Sequence, residues 1–141
     1  MHYFAYNDNL KREIIRARIG KAEFAGKAVL FGYALCFDSM GYADITESGG
    51  AKVFGAIYGV SAEQAGMLAK FEGEPVIGKR KSIEVECEGK KISAFTFERI
   101  EKTRQKRPLE NYLGQLCDGL IEAGWEKSEI DSAKRVAGYL F

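Results

Sequence analysis

The segment from residue 2 to residue 18 constrains the fold most strongly, because three local patterns follow one another there. Residues 2–6 read HYFAY, an apolar run typical of a strand, and residues 7–9 read NDN, which is typical of a tight loop. Leu10, Ile14 and Arg18 then recur at intervals of four, the spacing of one helix face. The segment therefore predicts a strand, a tight loop and a helix in direct succession.

The loop at residues 7–9 has two interpretations. Backbone N–H groups at the start of a helix have no partner within the helix, so they attract anions or a developing oxyanion. The alternative is an ordinary connection between strand and helix, capped by the side chain of Asp8 or Asn9. The local pattern leaves both interpretations open.

The next part of the chain is rich in predicted strands. The apolar segment 28–37 predicts a strand that is bent at Gly32. The pair Gly49-Gly50 predicts a turn, and the segment 52–60 predicts a buried strand after it. This half of the chain is therefore expected to be mainly β-structure.

The second half combines a hairpin with helices. The period-two segment 82–88 and the aromatic segment 92–100 predict the two strands of the hairpin. Helices are expected after the capping box at residues 61–64 and after Pro108. Because no repeat or long linker divides the chain, we expect a single α+β domain over residues 1–141.

The scarcity of histidine limits the chemistry of the chain. His2 is the single histidine, so a Ser–His or Cys–His nucleophile pair, or a histidine metal site, would have to use it. Cys36, Cys87 and Cys117 are far apart and odd in number, which argues against disulfides or a zinc ribbon and indicates buried thiols. We therefore expect no metal, and we expect a carboxylate to carry any acid–base chemistry.

Charge and hydropathy argue against several classes of partner. The net charge of +1 gives no strong field toward nucleic acid or membrane. No stretch approaches the roughly 20 apolar residues that span a bilayer. The basic groups at 79–81 and 102–107 leave RNA binding as a less favoured alternative. Since no signal peptide is visible, a cytoplasmic protein is expected.

Glu72 differs from the other carboxylates in its surroundings. It stands between Phe71, which is expected in the core, and Gly73, which is expected to end a helix. Apolar neighbours and the negative end of a helix both disfavour the charged carboxylate, so they raise its pKa. A carboxylate with a raised pKa can take and return a proton near neutral pH. The alternative is a solvated glutamate at a helix end.

Several segments, taken in order, resemble the gamma-glutamylcyclotransferase-like family. Residues 3–10, YFAYNDNL, are similar to its opening motif, which is Tyr-Gly-Ser-Asn-Leu after an aromatic strand. Residues 53–58, VFGAIY, resemble one of its later strands, and residues 71–73, FEG, resemble its Glu-Gly after a short helix. Pro108 and Tyr112 resemble the Pro and Tyr that precede its last helices. The resemblance therefore extends over nearly the whole chain.

The resemblance implies a small mixed β-barrel with flanking helices and a reaction that needs no cofactor. A small γ-glutamyl amine or peptide would cyclise when its own α-amine attacks its side-chain carbonyl, which releases 5-oxoproline and a free amine. Glu72 matches the position of the general acid–base. The substrate-binding positions implied are Tyr6, Asn7, Asp8, Asn9, Leu10 and Tyr112. The alternative is a non-catalytic relative that binds a small polar ligand or a protein partner in the same pocket.

Three positions depart from the family pattern. Asn7 and Asp8 stand where the opening motif has Gly and Ser, and Phe97 stands where many relatives have a tyrosine. Asn adopts positive φ more readily than most residues, so Asn7 is expected to keep the shape of the loop at some cost. Asp8 is expected to cap the N–H groups of the loop and to repel a substrate carboxylate. These changes weaken the inference of glutathione-type or amino-acid-type substrates.

Overall fold

The computed structural model describes residues 1–140, which form five β-strands, four α-helices and one short 3-10 helix. The strand, loop and helix predicted at the start of the chain are present, and the 3-10 helix occupies the loop. In chain order the elements are β1 (His2–Ala5), the 3-10 helix (Asp8–Leu10), α1 (Arg12–Ile19), β2 (Glu23–Phe37), β3 (Ala43–Gly59), α2 (Ala62–Phe71), β4 (Gly78–Cys87), β5 (Lys90–Arg99), α3 (Glu110–Ala123) and α4 (Lys127–Val136).

The strands close into a barrel in the order β1-β3-β2-β4-β5. β1 runs antiparallel to β3 and parallel to β5, where Tyr3 pairs with Phe95. The hydroxyl of Thr96 donates to the carbonyl of Phe4 over 2.7 Å, which further joins β5 to β1. The expected α+β fold, a small mixed barrel with flanking helices, is therefore confirmed.

β2 and β3 form one long antiparallel hairpin. The turn predicted at Gly49-Gly50 is wrong, because β3 runs through these residues. Residues 48–51 instead lie opposite Gly32 alone, so the glycine pair belongs to a bulge in a continuous strand. The bend predicted in β2 is confirmed at Gly32, which has a φ of 84°.

Helix α3 packs closely against the loop after β1. A Cβ at Gly119 would lie 2.4 Å from Cβ of Leu10 and 2.6 Å from the amide nitrogen of Lys11. Only glycine permits this approach, because a real side chain would collide with the loop. Just beyond the C-terminal end of α3, the indole of Trp125 donates to the carbonyl of Gly55 over 2.9 Å. The helix is thus fixed to both the loop and β3.

The first strand supplies much of the barrel core. Phe4 and Ala5 are fully buried, and Tyr3 is 2% exposed.

The three cysteines are unpaired and buried, as their sequence surroundings predicted. Within residues 1–140, no helix is both long enough and apolar enough to cross a membrane.

Candidate active site

A cavity of about 420 Å³ lies where the loop after β1, the end of α2, the β2–β3 connection and the start of α3 meet. Four residues singled out from the sequence line it: Asn7, Asp8, Glu72 and Tyr112. The cavity is therefore the place where the separate sequence signals come together. Its other wall residues include Arg18, Asp38, Met40, Phe71, Ile77 and Arg99.

Glu72 lies at the C-terminal end of α2, as the sequence pattern predicted. Its backbone N–H donates to the carbonyl of Leu68 over 3.0 Å, and Gly73 then turns the chain with a φ of 74°. A Cβ at Gly78 would lie 2.4 Å from the carbonyl oxygen of Glu72. Glycine at these two positions lets the chain fold back closely on Glu72 and hold it in the cavity wall.

The pKa of the Glu72 carboxyl is raised above its ordinary value, chiefly because burial disfavours the charged form. The cations of Arg99 and Arg18 and the hydrogen bond from Asn7 lower this pKa, whereas the carboxylate of Asp8 raises it. Burial outweighs the attractive contacts, so the group holds its proton to a higher pH than an exposed glutamate does.

Phe71 lies in the cavity wall, so the prediction that it belongs to the core is wrong. Its side chain is 59% exposed. The guanidinium of Arg18 lies 5.3 Å from the centre of the ring, which is a cation–π distance. Phe71 therefore gives the cavity an apolar face.

The side chain of Asn7 connects the loop to Glu72. Its Oδ1 accepts a hydrogen bond from the backbone N–H of Asn9 over 2.9 Å, so Asn7 caps the 3-10 helix. Its Nδ2 donates to Oε1 of Glu72 over 3.0 Å. The expectation of a positive φ at Asn7 is wrong, because its φ of −102° is ordinary extended backbone.

Asp8 is held by Arg18 and not by the loop. Both carboxylate oxygens accept hydrogen bonds from the Arg18 guanidinium over 2.9 Å. The prediction that Asp8 caps the loop is therefore wrong, since Asn7 supplies that cap. Within residues 1–140, the backbone N–H groups of Asn7 and Asp8 donate to no other residue.

Three of the implied substrate-binding residues lie outside the cavity wall. The hydroxyl of Tyr6 donates to the carbonyl of Phe97, and Tyr6 is 5% exposed. The amide of Asn9 donates to the hydroxyl of Tyr3 over 3.1 Å. Leu10 is 1% exposed, and its carbonyl accepts a hydrogen bond from the hydroxyl of a buried tyrosine of β3. In the structure, these three residues lie outside the cavity wall, and their buried contacts hold the loop in place.

Tyr112 reaches the cavity from the first turn of α3. Its hydroxyl oxygen accepts a hydrogen bond from the backbone N–H of Ala43 over 3.0 Å, and its ring packs edge-on against Tyr42. Burial raises the pKa of the phenol, so Tyr112 is neutral at physiological pH.

In the part of the chain that the structure describes, no cluster of three or more His, Cys, Asp or Glu side chains is arranged to hold a metal ion.

Comparisons with known proteins identify the family and the fold of the chain. A family model described as gamma-glutamyl cyclotransferase, AIG2-like, matches residues 3–115. The chain belongs to this family. No curated protein matches the sequence of this AIG2-like chain.

Solved structures share the fold of this AIG2-like chain. A protein named gamma-glutamyl cyclotransferase has a TM-score of 0.89 and 24% identity, with 95% of this chain and 86% of that protein covered. An uncharacterized protein from Homo sapiens has a TM-score of 0.88 and 25% identity, with 94% and 85% covered. YkqA from Bacillus subtilis has a TM-score of 0.85 and 24% identity, with 99% of this chain and 55% of YkqA covered.

Two positively charged side chains in the cavity wall of this AIG2-like chain, Arg18 and Arg99, were not predicted from the sequence as site residues. Arg18 shares a predicted helix face with apolar residues, which was a usable signal that its side chain points inward. Arg99 gave no such signal, because it is the last residue of β5 and follows a run of strand residues. Its Nε donates to Oδ2 of Asp38 over 2.9 Å, and Nη1 lies 3.5 Å from the carbonyl oxygen of Glu72.

Proposed function

We propose that the chain is a cyclotransferase that releases 5-oxoproline from a small γ-glutamyl amine or peptide. The observation that carries this proposal is the position of Glu72, a carboxylate of raised pKa in the wall of a cavity beside the loop after β1. Membership of the cyclotransferase family supports the same reaction class. The assignment of substrate-binding roles to Asn7, Asp8 and Tyr112 is part of the proposal.

The reaction suits a site with a single catalytic carboxylate. The α-amine of the substrate attacks the carbon of its own γ-carbonyl, a C–N bond forms within a five-membered ring, and the bond to the leaving amine breaks. Glu72 takes the proton from the attacking amine and returns it to the leaving nitrogen, so the protons balance. The nucleophile belongs to the substrate, so the reaction needs neither an enzyme nucleophile nor a cofactor.

The surrounding residues are suited to holding the oxygens of the substrate. We assign the unpaired backbone N–H groups of Asn7 and Asp8 to the oxyanion that develops on the γ-carbonyl. Arg99 lies beside Glu72 and offers a guanidinium to the α-carboxylate of the substrate. Fixing the flexible γ-glutamyl chain in a folded conformation lowers the entropic part of the barrier.

The experiment that tests the function is a measurement of 5-oxoproline release from γ-glutamyl amines, dipeptides and glutathione. We expect turnover by the wild type and a loss of about 10²- to 10⁴-fold in kcat for Glu72→Gln. Glu74→Gln is the matched control, because Glu74 is exposed, lies outside the cavity wall and, within residues 1–140, accepts a hydrogen bond only from the backbone N–H of Arg80. Equal turnover by Glu72→Gln and wild type would reject the role of Glu72.

The second candidate is a non-catalytic binding protein that uses the same cavity. It is favoured by the internal contacts of the loop, since Asp8 is already held by Arg18 and Asn7 already contacts Glu72. This candidate predicts that γ-glutamyl amines bind without release of 5-oxoproline. Calorimetric binding beside the turnover assay separates the two functions.

A further inference from the structure

Asp38 begins the loop between β2 and β3, residues 38–42, and bonds to that loop through one carboxylate oxygen. Its Oδ1 accepts hydrogen bonds from the backbone N–H groups of Met40 and Tyr42, each over 2.9 Å. Its own backbone N–H donates to the carbonyl of Tyr42 over 2.8 Å. The first residue of the loop therefore fixes the part of the cavity wall that the loop supplies.

The second carboxylate oxygen of Asp38 makes a different contact. Oδ2 accepts a hydrogen bond from Nε of Arg99 over 2.9 Å, and the two side chains are 8% and 18% exposed. The backbone of Arg99 is fixed separately, because its N–H donates to Oδ1 of Asp44 over 3.0 Å. Asp38 thus sets the direction of the guanidinium, while Asp44 fixes the backbone that carries it.

The guanidinium of Arg99 lies beside Glu72 without forming an ion pair with its carboxylate. Nη1 of Arg99 is 3.5 Å from the backbone carbonyl oxygen of Glu72, which is a weak contact. Within residues 1–140, both arginines of the cavity wall are paired with aspartates, Arg18 with Asp8 and Arg99 with Asp38. The carboxylate of Glu72 therefore has a cation nearby that does not neutralise it.

Loss of the paired aspartate would affect the two arginines differently. Arg18 also donates to Oδ1 of Asn9 over 2.8 Å, so it keeps an anchor without Asp8. In the part of the chain that the structure describes, the side chain of Arg99 would keep only its weak contact with the backbone of Glu72. Because a largely buried cation without a partner is costly, we expect that guanidinium to turn to the carboxylate of Glu72.

We propose that Asp38 is a positioning residue that holds the guanidinium of Arg99 off the carboxylate of Glu72. The carboxylate then stays free to exchange protons, and the remaining N–H groups of Arg99 stay available to the α-carboxylate of the substrate. The effect on turnover rests on the proposed function, whereas the effect on Glu72 does not depend on any reaction.

The groups that face Glu72 determine how its pKa responds. Burial raises this pKa, the cation of Arg99, the hydrogen bond from Asn7 and the cation of Arg18 lower it, and the carboxylate of Asp8 raises it. Three phenols near Glu72 have raised pKa values and stay neutral: Tyr3, Tyr6 and Tyr112. A direct ion pair with Arg99 would lower the pKa of Glu72, since an opposite charge favours the carboxylate.

Asp38→Asn separates the two contacts of Asp38. Asparagine keeps an oxygen for the N–H groups of the loop, but its amide nitrogen cannot accept the hydrogen bond from Arg99. We expect the pKa of Glu72 to fall below that of the wild type, measured by NMR titration of its carboxyl carbon in the protein without substrate. An unchanged pKa would overturn the inference. Asp38→Ser, which also keeps an oxygen for the loop, is a second variant for the same measurement.

Arg99→Gln distinguishes movement of the guanidinium from a general loosening of the loop. Loosening would expose Glu72 to water and lower its pKa without Arg99. In the Arg99→Gln background, we expect Asp38→Asn to leave the pKa of Glu72 unchanged, because no guanidinium is left to move. An equal fall in both backgrounds would show that Asp38 acts only through the loop, and it would overturn the inference.

Asp44→Asn is the matched control. Asp44 is another buried aspartate that is paired with a cation, Lys102, and it lies outside the cavity wall. Asparagine keeps an oxygen for the backbone N–H of Arg99. The pKa of Glu72 should therefore stay at the wild-type value, and a fall like that in Asp38→Asn would contradict the inference.

Turnover separates this inference from the proposed function. If the wild type releases 5-oxoproline, Asp38→Asn should move the acid limb of the kcat/KM profile to lower pH. It should also raise KM by about tenfold, because Arg99 then binds Glu72 and not the substrate. A fall in the pKa of Glu72 without any wild-type turnover would reject the proposed function and support the role of Asp38. Turnover with an unmoved pKa would support the function and reject that role.

Discussion

The side-chain amide of Asn7 donates a hydrogen bond to Oε1 of Glu72 over 3.0 Å. The same side chain accepts a hydrogen bond from the backbone N–H of Asn9 over 2.9 Å. One short amide therefore joins the loop after β1 to the carboxylate at the end of α2. The conformation of the loop and the orientation of the carboxylate are coupled through this contact.

Replacement of Asn7 by Ala should change the pH dependence of the proposed reaction. The hydrogen bond from Asn7 lowers the pKa of Glu72, so its loss raises that pKa further. We expect the acid limb of the kcat/KM profile to move to higher pH, because Glu72 has to be ionised to accept a proton. The lost cap should lower the free energy of unfolding by about 1 kcal/mol.

Asn7→Asp separates the two contacts of Asn7. An aspartate keeps an oxygen for the N–H of Asn9, but it places a negative charge beside Glu72. The acid limb of the kcat/KM profile should therefore move to a higher pH than it does in Asn7→Ala. At low pH, the free energy of unfolding should fall less than it does in Asn7→Ala. An acid limb that stays in place in both variants would show that Asn7 does not act on Glu72.

Glu72→Gln should stabilise the protein at neutral pH. The pKa of Glu72 is raised in the folded state, so ionisation costs more there than in the unfolded chain, and this destabilises the fold increasingly as the pH rises above the ordinary pKa of the unfolded carboxyl. Glutamine removes that cost and keeps an oxygen for Asn7. Urea unfolding should show the gain at pH 7, and the gain should fade toward and below pH 4.5, the ordinary value for glutamate. A gain that is independent of pH would contradict this explanation.

Asp8→Ser should release Arg18 toward the cavity. The guanidinium of Arg18 donates to both oxygens of Asp8, so it is not available to a substrate carboxylate. We expect KM for γ-glutamylmethylamide to fall by roughly tenfold, since a charge-assisted hydrogen bond to the α-carboxylate becomes possible. Asp118→Ser, which removes the surface partner of Lys11, is the control and should leave KM unchanged. An unaltered KM in Asp8→Ser would show that Asp8 does not block binding.

Two glycines of α3 should respond oppositely to alanine. A Cβ at Gly119 would lie 2.4 Å from Cβ of Leu10, whereas a Cβ at Gly114 would meet no atom within 4 Å. Gly119→Ala should lower the free energy of unfolding by about 1–3 kcal/mol, because the helix has to move away from the loop. Gly114→Ala should raise it by about 0.5–1 kcal/mol, since alanine favours the helix. Denaturant titration of both variants measures the difference, and equal effects would contradict the close packing at Gly119.

Local signals were sufficient to predict the position of Glu72. The capping box at residues 61–64 marks the start of α2, and Gly73 marks its end, so the carboxylate falls at the C-terminus without any tertiary information. The hairpin predicted from segments 82–88 and 92–100 is also confirmed, although its first strand begins four residues earlier, at Gly78. These features depend on neighbours a few residues apart, and a sequence displays such neighbours directly.

Contacts that depend on strand register were not predictable from the sequence. Arg99 approaches Glu72 because it pairs with Gly78 in the β4–β5 hairpin, and Gly78 in turn touches the carbonyl of Glu72. The exposure of Phe71 depends in the same way on the position of α2 over the barrel. The predicted turn at residues 49–50 failed because pairing with β2 overrode the local preference of glycine.

β1 is synthesised before its partner β5, which is complete only once residues 90–99 have been made. The barrel therefore cannot close on a nascent chain that stops before β5. The cavity needs still more of the chain, because Tyr112 contributes to its wall. A polypeptide interrupted after α2 carries Glu72 without Arg99 or Tyr112, so the site is complete only once α3 has begun to be made.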